Sequence, residues 1–270
     1  MQGIVIQGQT SYAKDMISIY KDIPNVVFST WVGEDTKIIE DYGIEVIKSN
    51  PPDFAKSYSH LNHQTKSTYA GIRHLHSKGV TEALKIRGDL KPNNIKLLMK
   101  ILKGRSLSFL SIINRIGYSR GRTIDGVFHP PHPHRFDPDL RRMLEGDEEY
   151  SYFLEYKHNG YDFPSDLIMY GSLNKLENCF NFQVTELTTV PPESLILYNF
   201  FKSSNLKFKL DYDHFIKNGI SFFMGDCLKH NIKIDWFKHP NPDGEIGKPN
   251  SMLGFGDLIG YYTNKDWYDY

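Results

Sequence analysis

Short apolar runs alternate with helix-like amphipathic stretches through the first third of the chain. The strand-like runs cover residues 3–8, 25–31, 44–47 and 83–89. The helix-like stretches between them cover residues 12–20, 34–41 and 62–78. Thr10 or Ser11 is expected to cap the first helix, and Gly43 and Gly79 lie where the second and third helices are expected to end. Strands that alternate with helices predict a Rossmann-like α/β fold, with a mostly parallel sheet and helices on both faces.

The rest of the chain repeats this alternation less regularly. Residues 105–150 lose the pattern, and we interpret them as a variable insertion. The remaining expected elements are helices over residues 139–144, over 173–180 (after a possible cap at Ser172) and from Pro192, and strands over residues 166–171, 221–224 and 232–239. No linker or internal repeat separates these elements, so residues 1–270 are interpreted as a single domain.

The composition restricts the classes of partner. The 270 residues include 32 basic and 32 acidic side chains, so neither nucleic acid nor an anionic membrane is an expected partner. No apolar run reaches the roughly 18 residues of a membrane span, and Met1 leads directly into a strand-like run rather than a signal peptide. The isolated Cys179 and Cys227 fit buried thiols in a reducing compartment. A cytoplasmic protein is therefore expected, with peripheral association with a membrane and the oligomeric state left open.

The acidic end of the fourth apolar run is the first candidate for a functional site. This run ends at Asp89, and Lys91 and Pro92 follow almost directly. A buried parallel strand delivers such a residue to the carboxyl edge of the sheet, where α/β proteins bind their ligands. A carboxylate there can bind a divalent cation, which in turn can hold a diphosphate. The alternative is that Asp89 caps a helix that starts near Pro92.

Several other residues have both a functional and a structural interpretation. Asp166 either serves a site or holds a turn through backbone hydrogen bonds. Glu193 is either a general base on a rigid helix start or a partner of the helix dipole, and the sequence favours the dipole. Residues 129–139 contain three histidines and two aspartates, but their prolines favour an extended surface loop over a metal site. His239 is interpreted as an ordinary histidine at a strand end.

Four motifs occur in a characteristic order: Gly3-Ile4-Val5-Ile6-Gln7-Gly8, Ser29-Thr30-Trp31, Lys85-Ile86-Arg87-Gly88-Asp89, and Ser165-Asp166-Leu167-Ile168-Met169-Tyr170-Gly171 followed by Pro192-Glu193. Together with Asn62-His63-Gln64, Ser67 and Gly71, they resemble the WavE family of lipopolysaccharide-synthesis proteins, which look like glycosyltransferases with the GT-A fold. The resemblance spans residues 3–200. It implies a GT-A-like domain with a nucleotide-sugar-binding half at residues 1–104 and an acceptor-side half at residues 151–270.

The resemblance also implies roles for individual residues. The residues that would line the pocket of the nucleotide-sugar donor are Gln7, Gly8, Thr10, Trp31, Asn62, Gln64 and Arg87. Asp89 stands in the place of the family's Asp-x-Asp motif and would bind Mn²⁺ or Mg²⁺. Arg87 replaces the first carboxylate of that motif, so Arg87 itself is an alternative to the metal for offsetting the phosphate charge. Asp166 would lie on the acceptor side, and Glu193 takes the place of the catalytic base of inverting enzymes.

These roles predict a glycosyltransferase that moves a sugar from a nucleotide sugar to a hydroxyl of a glycan acceptor in surface polysaccharide or lipopolysaccharide synthesis. A catalytic base at Glu193 or Asp166 favours inversion of the anomeric configuration, and retention, which needs no such base, is left open. The chemistry requires positive charge beside the leaving diphosphate and a carboxylate that accepts the proton of the acceptor. One alternative is a nucleotidyltransferase, which should carry a Gly-rich basic loop after the first strand that this chain lacks. Another is a non-catalytic module that stacks glycans on its aromatic residues, which make up 14% of the chain.

Overall fold

The structure is a computed structural model, and it describes residues 1–52, 61–112, 122–124, 127–129, 163–184, 192–207 and 212–237. The strands in these ranges are β1 (Gln2–Gln7), β2 (Val26–Trp31), β3 (Glu45–Ser49), β4 (Glu82–Arg87), β5 (Leu90–Pro92), β6 (Leu107–Ile112), β7 (Arg122–Ile124), β8 (Val127–His129), β9 (Phe163–Ser172), β10 (Ile220–Phe222) and β11 (Ile234–Trp236). The helices are α1 (Ala13–Met16), α2 (Lys37–Asp41), α3 (Leu61–Ser77), α4 (Ile95–Leu102), α5 (Leu173–Phe180), α6 (Pro192–Ser203), α7 (Tyr212–Lys217) and α8 (Met224–Lys229), and a 3-10 turn at Ile17–Tyr20 follows α1.

A seven-stranded sheet in the order β10-β6-β9-β4-β1-β2-β3 forms the centre of the fold. β1 pairs in parallel with β2 and β4, β2 pairs in parallel with β3, and β10 pairs in parallel with β6. Only β9 runs antiparallel to its neighbours within this sheet, and it separates β4 from β6. The expected α/β class with a mostly parallel sheet is confirmed.

Helices cover both faces of this sheet, as expected. Alternate residues of β1 point to opposite faces because the side chains of a strand alternate. Ile4 and Ile6 pack in one core with Leu98 of α4, whereas Val5 packs in the other core with Ile72 of α3. The strands are buried from both sides, which explains why they are nearly continuous apolar runs in the sequence.

The loops after β1 and β2 are joined by a contact that replaces an expected helix cap. Both the backbone amide and the hydroxyl of Thr10 donate to Oε2 of Glu34, at 2.9 and 2.7 Å. Neither Thr10 nor Ser11 caps α1, since the residue before α1 is Tyr12 and its side chain makes no capping hydrogen bond. The prediction of one regular helix over residues 12–20 is also wrong, because a 3-10 turn replaces its second half.

The alternative role of Asp89 as a helix cap is wrong for a local reason. Residues Leu90–Pro92 continue as the strand β5, which pairs with β11. Asn94 caps α4 instead, by accepting a hydrogen bond of 3.0 Å from the amide of Leu97. Asn and Asp are both good caps, and the strand pairing with a distant segment decides between them.

Parts of the expected insertion at residues 105–150 have regular structure. β6 belongs to the central sheet, and β7 and β8 pair as an antiparallel two-stranded sheet that ends at His129. Residues 130–139, with the other histidines of that segment, and His239 lie outside the described residues. In the part of the chain that the structure describes, no helix is long and apolar enough to cross a membrane.

Candidate functional site

The carboxyl edge of the central sheet contains a topological switch point. From β1 the chain builds outward to β2 and β3, and it then returns to place β4 on the other side of β1. In open α/β sheets the ligand-binding crevice lies where the strand order reverses in this way. The residues at the ends of β1 and β4 and directly after them therefore define the candidate site: Gln7, Gly8, Arg87, Gly88 and Asp89.

Two glycines let the ends of β1 and β4 approach each other closely. The amide of Gly88 donates to the carbonyl oxygen of Gln7 at 2.7 Å. A Cβ on Gly88 would lie 3.3 Å from the carbonyl oxygen of Gln9, and Gly8 has a φ of +135°, which favours glycine. The side chain of Gln7, a residue only 8% exposed, makes no hydrogen bond within the described residues. Its amide is therefore available to a ligand at this edge.

Arg87 and Asp89 form a bidentate ion pair at the end of β4. Nε of Arg87 donates to Oδ1 of Asp89 at 3.0 Å, and the second guanidinium nitrogen, Nη2, donates to Oδ2 at 2.6 Å. The side chain of Asp89 is 8% exposed and that of Arg87 is 24% exposed. The planar guanidinium carries five N–H donors in a fixed fork, which is the geometry that proteins use to bind phosphate groups.

The carboxylate of Asp89, the expected ligand of a divalent cation, is paired with Arg87 in this structure. Both carboxylate oxygens of Asp89 accept from Arg87, so a cation would have to displace the guanidinium. No group of three or more His, Cys, Asp or Glu side chains that could hold a metal ion occurs in the described ranges. Mg²⁺ in phosphate sites is held by one or two carboxylates together with water and substrate phosphates, so the expected metal role of Asp89 stays a prediction.

The first turn of α3 carries three consecutive residues with three separate partners. Asn62 exchanges two hydrogen bonds of 2.7 and 2.8 Å with the backbone of Val184. The ring of His63 packs edge-on against Trp31 at the end of β2, with centroids 5.0 Å apart. The side-chain amide of Gln64 donates a hydrogen bond to Oδ2 of Asp166 on β9. This turn therefore links β2, β9 and the segment after α5.

Asp166 lies on β9, the immediate neighbour of β4 in the sheet. It is 5% exposed, and its carboxylate accepts from Gln64 through Oδ2. Its other oxygen, Oδ1, makes no hydrogen bond within the described residues. No strand separates Asp166 from the end of β4 that carries Arg87 and Asp89. The alternative role of Asp166 was to hold the turn through backbone hydrogen bonds. Ser165 makes that kind of bond instead, because its hydroxyl accepts from the backbone amide of Leu167.

The other candidate residues have the following places. Trp31 is 8% exposed, and Thr10 uses both of its hydrogen-bond donors on Glu34. Glu193 lies in the first turn of α6, and its side chain lies outside the described residues. The expected role of each of these residues stays a prediction.

Sequence reasoning missed two residues of this region. Lys85 on β4 is fully buried, and its ammonium donates to the main-chain carbonyl oxygen of Asp166. Glu34 holds the loop after β1 through Thr10. A lysine in the middle of an otherwise apolar run was the only signal for Lys85, and nothing local to Glu34 indicates its partner.

The two cysteines do not offer a nucleophile. Burial raises the pKa of the Cys227 thiol to about 12, and burial also raises the pKa of the Cys179 thiol well above its usual range. Both thiols are free of disulfides and buried, as the sequence predicted. At neutral pH they remain protonated and packed, so covalent catalysis by cysteine is excluded for these two residues.

No family model matches this chain, and no curated protein sequence matches it. Membership of the WavE family is therefore not confirmed. Among solved structures, the chain is similar to the bifunctional glycosyltransferase WbbM, with a TM-score of 0.43, 11% identity, and 82% of this chain and 38% of that chain covered.

It is also similar to the galactosyltransferase LgtC in complex with donor and acceptor sugar analogues, with a TM-score of 0.38, 12% identity, and 82% of this chain and 73% of that chain covered. A protein from Bacillus anthracis assigned as a glucose-1-phosphate thymidylyltransferase gives a TM-score of 0.38 and 8% identity over 82% of this chain and 85% of that chain. Similarity at this level does not assign an activity to this chain.

Proposed function

We propose that this protein is a glycosyltransferase with a GT-A-like fold that transfers a sugar from a nucleotide sugar to a hydroxyl of a glycan acceptor. The observation that carries the proposal is the placement of Arg87, Asp89 and Asp166. A guanidinium–carboxylate pair and a second, buried carboxylate lie on neighbouring strands at the switch point of the sheet. These are the two kinds of charge that glycosyl transfer requires at opposite sides of the anomeric carbon.

In the proposed reaction the donor's diphosphate binds at the end of β4. Arg87 donates hydrogen bonds to the phosphate oxygens, and its positive charge stabilises the diphosphate as the glycosidic C–O bond breaks. Gln7 has an amide available at the adjacent strand end, where it can hold the nucleotide. Asp89 keeps the guanidinium in place through its two hydrogen bonds.

Asp166 acts as the general base. The acceptor hydroxyl attacks the anomeric carbon from the face opposite the leaving group, and its proton passes to Oδ1 of Asp166, the oxygen that Gln64 does not occupy. The products are the glycoside, with inverted anomeric configuration, and a nucleoside diphosphate. Glu193 is the second candidate for this base, because it lies at the start of a helix.

We propose that the charge of Arg87 takes the place of a divalent cation. Mn²⁺ or Mg²⁺ at Asp89 would have to break both hydrogen bonds of the ion pair. The expected result is that chelation with EDTA leaves nucleotide binding unchanged. A strict requirement for Mn²⁺ or Mg²⁺ would show that Arg87 moves away and that Asp89 binds the metal.

The proposal is tested by nucleotide binding. Thermal shifts are measured with UDP, GDP and CMP and with their sugar conjugates, each with and without Mn²⁺. At least one of these nucleotides is expected to raise the melting temperature of the native protein, and Arg87→Met is expected to abolish the shift. Arg105→Met is the matched control, because Arg105 also pairs with an aspartate, Asp226, at 2.7 Å but lies away from the candidate site.

The outcomes separate the alternative functions. Slow release of nucleoside diphosphate from a bound nucleotide sugar, with water as the acceptor, supports a glycosyltransferase. Formation of a sugar nucleotide and pyrophosphate from a nucleoside triphosphate and a sugar phosphate would identify a nucleotidyltransferase. Shifts with glycans but with no nucleotide would identify a glycan-binding module and overturn the proposal.

A further inference from the structure

Lys85 lies in the middle of β4 and has no exposed surface. Its ammonium group donates a hydrogen bond to the main-chain carbonyl oxygen of Asp166 and lies 5.6 Å from the centroid of the Phe180 ring. A buried ammonium carries a large desolvation penalty, which its hydrogen bonds and the aromatic ring offset only in part. A fully buried side chain does not reach a substrate, so Lys85 has no direct part in the proposed reaction.

The register of β9 explains why this carbonyl oxygen receives its hydrogen bond from a lysine. The strand pairs that flank Asp166 are Met169 with Phe109 and Ser165 with Leu110 on the β6 side, and Ile168 with Ile86 at the end of the β4 ladder. Residues 166–168 are therefore extra residues relative to β6, and they form a β-bulge. Asp166 lies inside this bulge and beyond the last pair with β4. Bulges of this kind redirect side chains, and they are frequent next to active sites.

Asp166 is thus held from two sides. Lys85 binds its main-chain carbonyl oxygen from the central strand, and Gln64 binds Oδ2 of its carboxylate from α3. We propose that Lys85 is a positioning residue, whose buried ammonium fixes the bulge of β9 so that Oδ1 of Asp166 is presented to the acceptor. This inference rests on the proposed function, since it assigns a purpose to the position of the proposed base.

The proposal predicts that Lys85→Met has a larger effect on activity than on stability. Methionine has nearly the length of lysine, and it can pack against Phe180 without burying a charge. Replacing a whole buried ion pair with packed apolar residues is often neutral or stabilising, whereas removing one hydrogen-bond partner leaves the other unsatisfied and destabilises the fold. Lys85→Met is therefore expected to fold with a moderately lowered melting temperature, while Asp166 loses the hydrogen bond that fixes its main chain.

The experiment compares Lys85→Met with the native protein in two measurements. The first is turnover of the nucleotide sugar that binds best, with water as the acceptor. We expect kcat to fall about 10- to 100-fold with KM nearly unchanged, because a small misplacement of a reacting group has effects of this size. The second is amide hydrogen exchange in the peptide that covers β9, where residues 166–168 are expected to exchange faster.

Lys175→Met is the matched control. Lys175 donates a hydrogen bond of 2.5 Å to Ser106, and like Lys85 it lies over a phenylalanine ring, 5.8 Å from the centroid of Phe200. Lys175 lies on α5, near the edge of the sheet opposite the candidate site. Lys175→Met is therefore expected to retain both kcat and the exchange pattern of β9.

Each outcome decides the proposal. Unchanged kcat and unchanged exchange in a folded Lys85→Met variant would overturn it. Lys85→Gln, which retains a hydrogen-bond donor, is made alongside. If both variants fail to fold, Lys85 serves folding rather than positioning, and the proposal is also overturned. If the native protein binds no nucleotide, the proposed function fails, and the exchange measurement still tests whether Lys85 fixes the bulge.

Discussion

The side-chain amide of Gln64 donates a hydrogen bond to Oδ2 of Asp166, which joins the first turn of α3 to β9 across 102 positions of the chain. Both residues are buried, with 8% of Gln64 and 5% of Asp166 exposed. A carboxylate held on one oxygen keeps a fixed orientation, and its second oxygen can accept a proton. In the proposed reaction, the pair sets the direction from which an acceptor hydroxyl approaches Asp166.

Gln64→Met removes this hydrogen bond while keeping a side chain of similar length. We expect kcat for turnover of the nucleotide sugar to fall by about tenfold or more, because the base loses its orientation. The thermal shift caused by the nucleotide is expected to stay, since the proposed donor site lies at the ends of β1 and β4. An unchanged kcat would show that the orientation of Asp166 does not matter for turnover.

Asp166→Asn and Glu193→Gln distinguish the two candidates for the base. Each substitution removes a carboxylate and keeps the shape of the side chain. The variant that lacks the true base is expected to lose transfer by about 100-fold or more and to retain nucleotide binding. We expect this result for Asp166→Asn, and transfer rates with a glycan acceptor are the measurement. Full transfer by Asp166→Asn with loss in Glu193→Gln would move the role to Glu193.

Gly71 of α3 is required by the close packing of this helix on the sheet. A Cβ at this position would lie 2.6 Å from Cγ1 of Val5 and 3.2 Å from Cβ of Ser29. Gly71→Ala is expected to lower the free energy of unfolding by about 1–3 kcal/mol. This loss exceeds the gain in helix propensity of about 1 kcal/mol.

Urea unfolding measures the effect of Gly71→Ala, and this effect is expected to be smaller in a Val5→Ala background, where the added Cβ has room. Lys66→Ala in the same helix is the control and should be nearly neutral. Stabilisation by Gly71→Ala would mean that α3 can move away from β1.

The hydroxyl of Tyr20 is buried and makes no hydrogen bond within the described residues. A buried hydroxyl without a partner costs about 1–3 kcal/mol, so removing it should help the fold. Tyr20→Phe is expected to raise the free energy of unfolding by about 1 kcal/mol, as measured by thermal or urea unfolding. Destabilisation would indicate that the hydroxyl has a partner, such as an ordered water molecule.

Stability at alkaline pH should depend on Tyr170. Burial, and then its hydrogen bond of 2.5 Å to Glu82, raises the pKa of Tyr170 well above its usual range. The folded state therefore holds this proton more tightly than the unfolded state. The resulting stability is complete below pH ~10, where an unfolded tyrosine begins to ionise, and it is lost as the pH rises further.

Melting temperatures of Tyr170→Phe between neutral pH and pH ~11 test this linkage. The variant is expected to be less stable at neutral pH, since Glu82 and Gln2 lose their shared partner. Its melting temperature should then fall less steeply above pH ~10 than that of the native protein. An equal slope would assign the alkaline loss to other groups, such as Tyr20, whose pKa burial also raises.

The sequence predicted the elements whose signals are local. The helix expected over residues 62–78 is observed at Leu61–Ser77, because an amphipathic stretch ends at Gly79, which has a φ of +74°. The helix expected over residues 173–180 is observed with the same bounds. The strands were also predictable from local sequence, because burial on both faces makes them nearly continuous apolar runs.

The features that depend on distant residues were not predictable. The interaction of Lys85 with Asp166 depends on a bulge whose register only the assembled sheet defines. The strand at residues 90–92 forms because β11 arrives from far along the chain, and it overrides the local preference for a helix start. In the candidate site the residue types were visible in the sequence, but the hydrogen bond between Gln64 and Asp166, 102 positions apart, was not.

The pairing of β5 with β11 bears on how the protein is made. The amide of Phe237 donates to the carbonyl oxygen of Asp89 at 2.9 Å, so the turn that carries Asp89 is secured by one of the last described segments. Domains begin to fold while the ribosome is still synthesising them. A nascent chain can therefore assemble β1 to β4 early, but it completes this turn only after residue 237 has left the exit tunnel. Products of premature termination would carry Asp89 without this restraint.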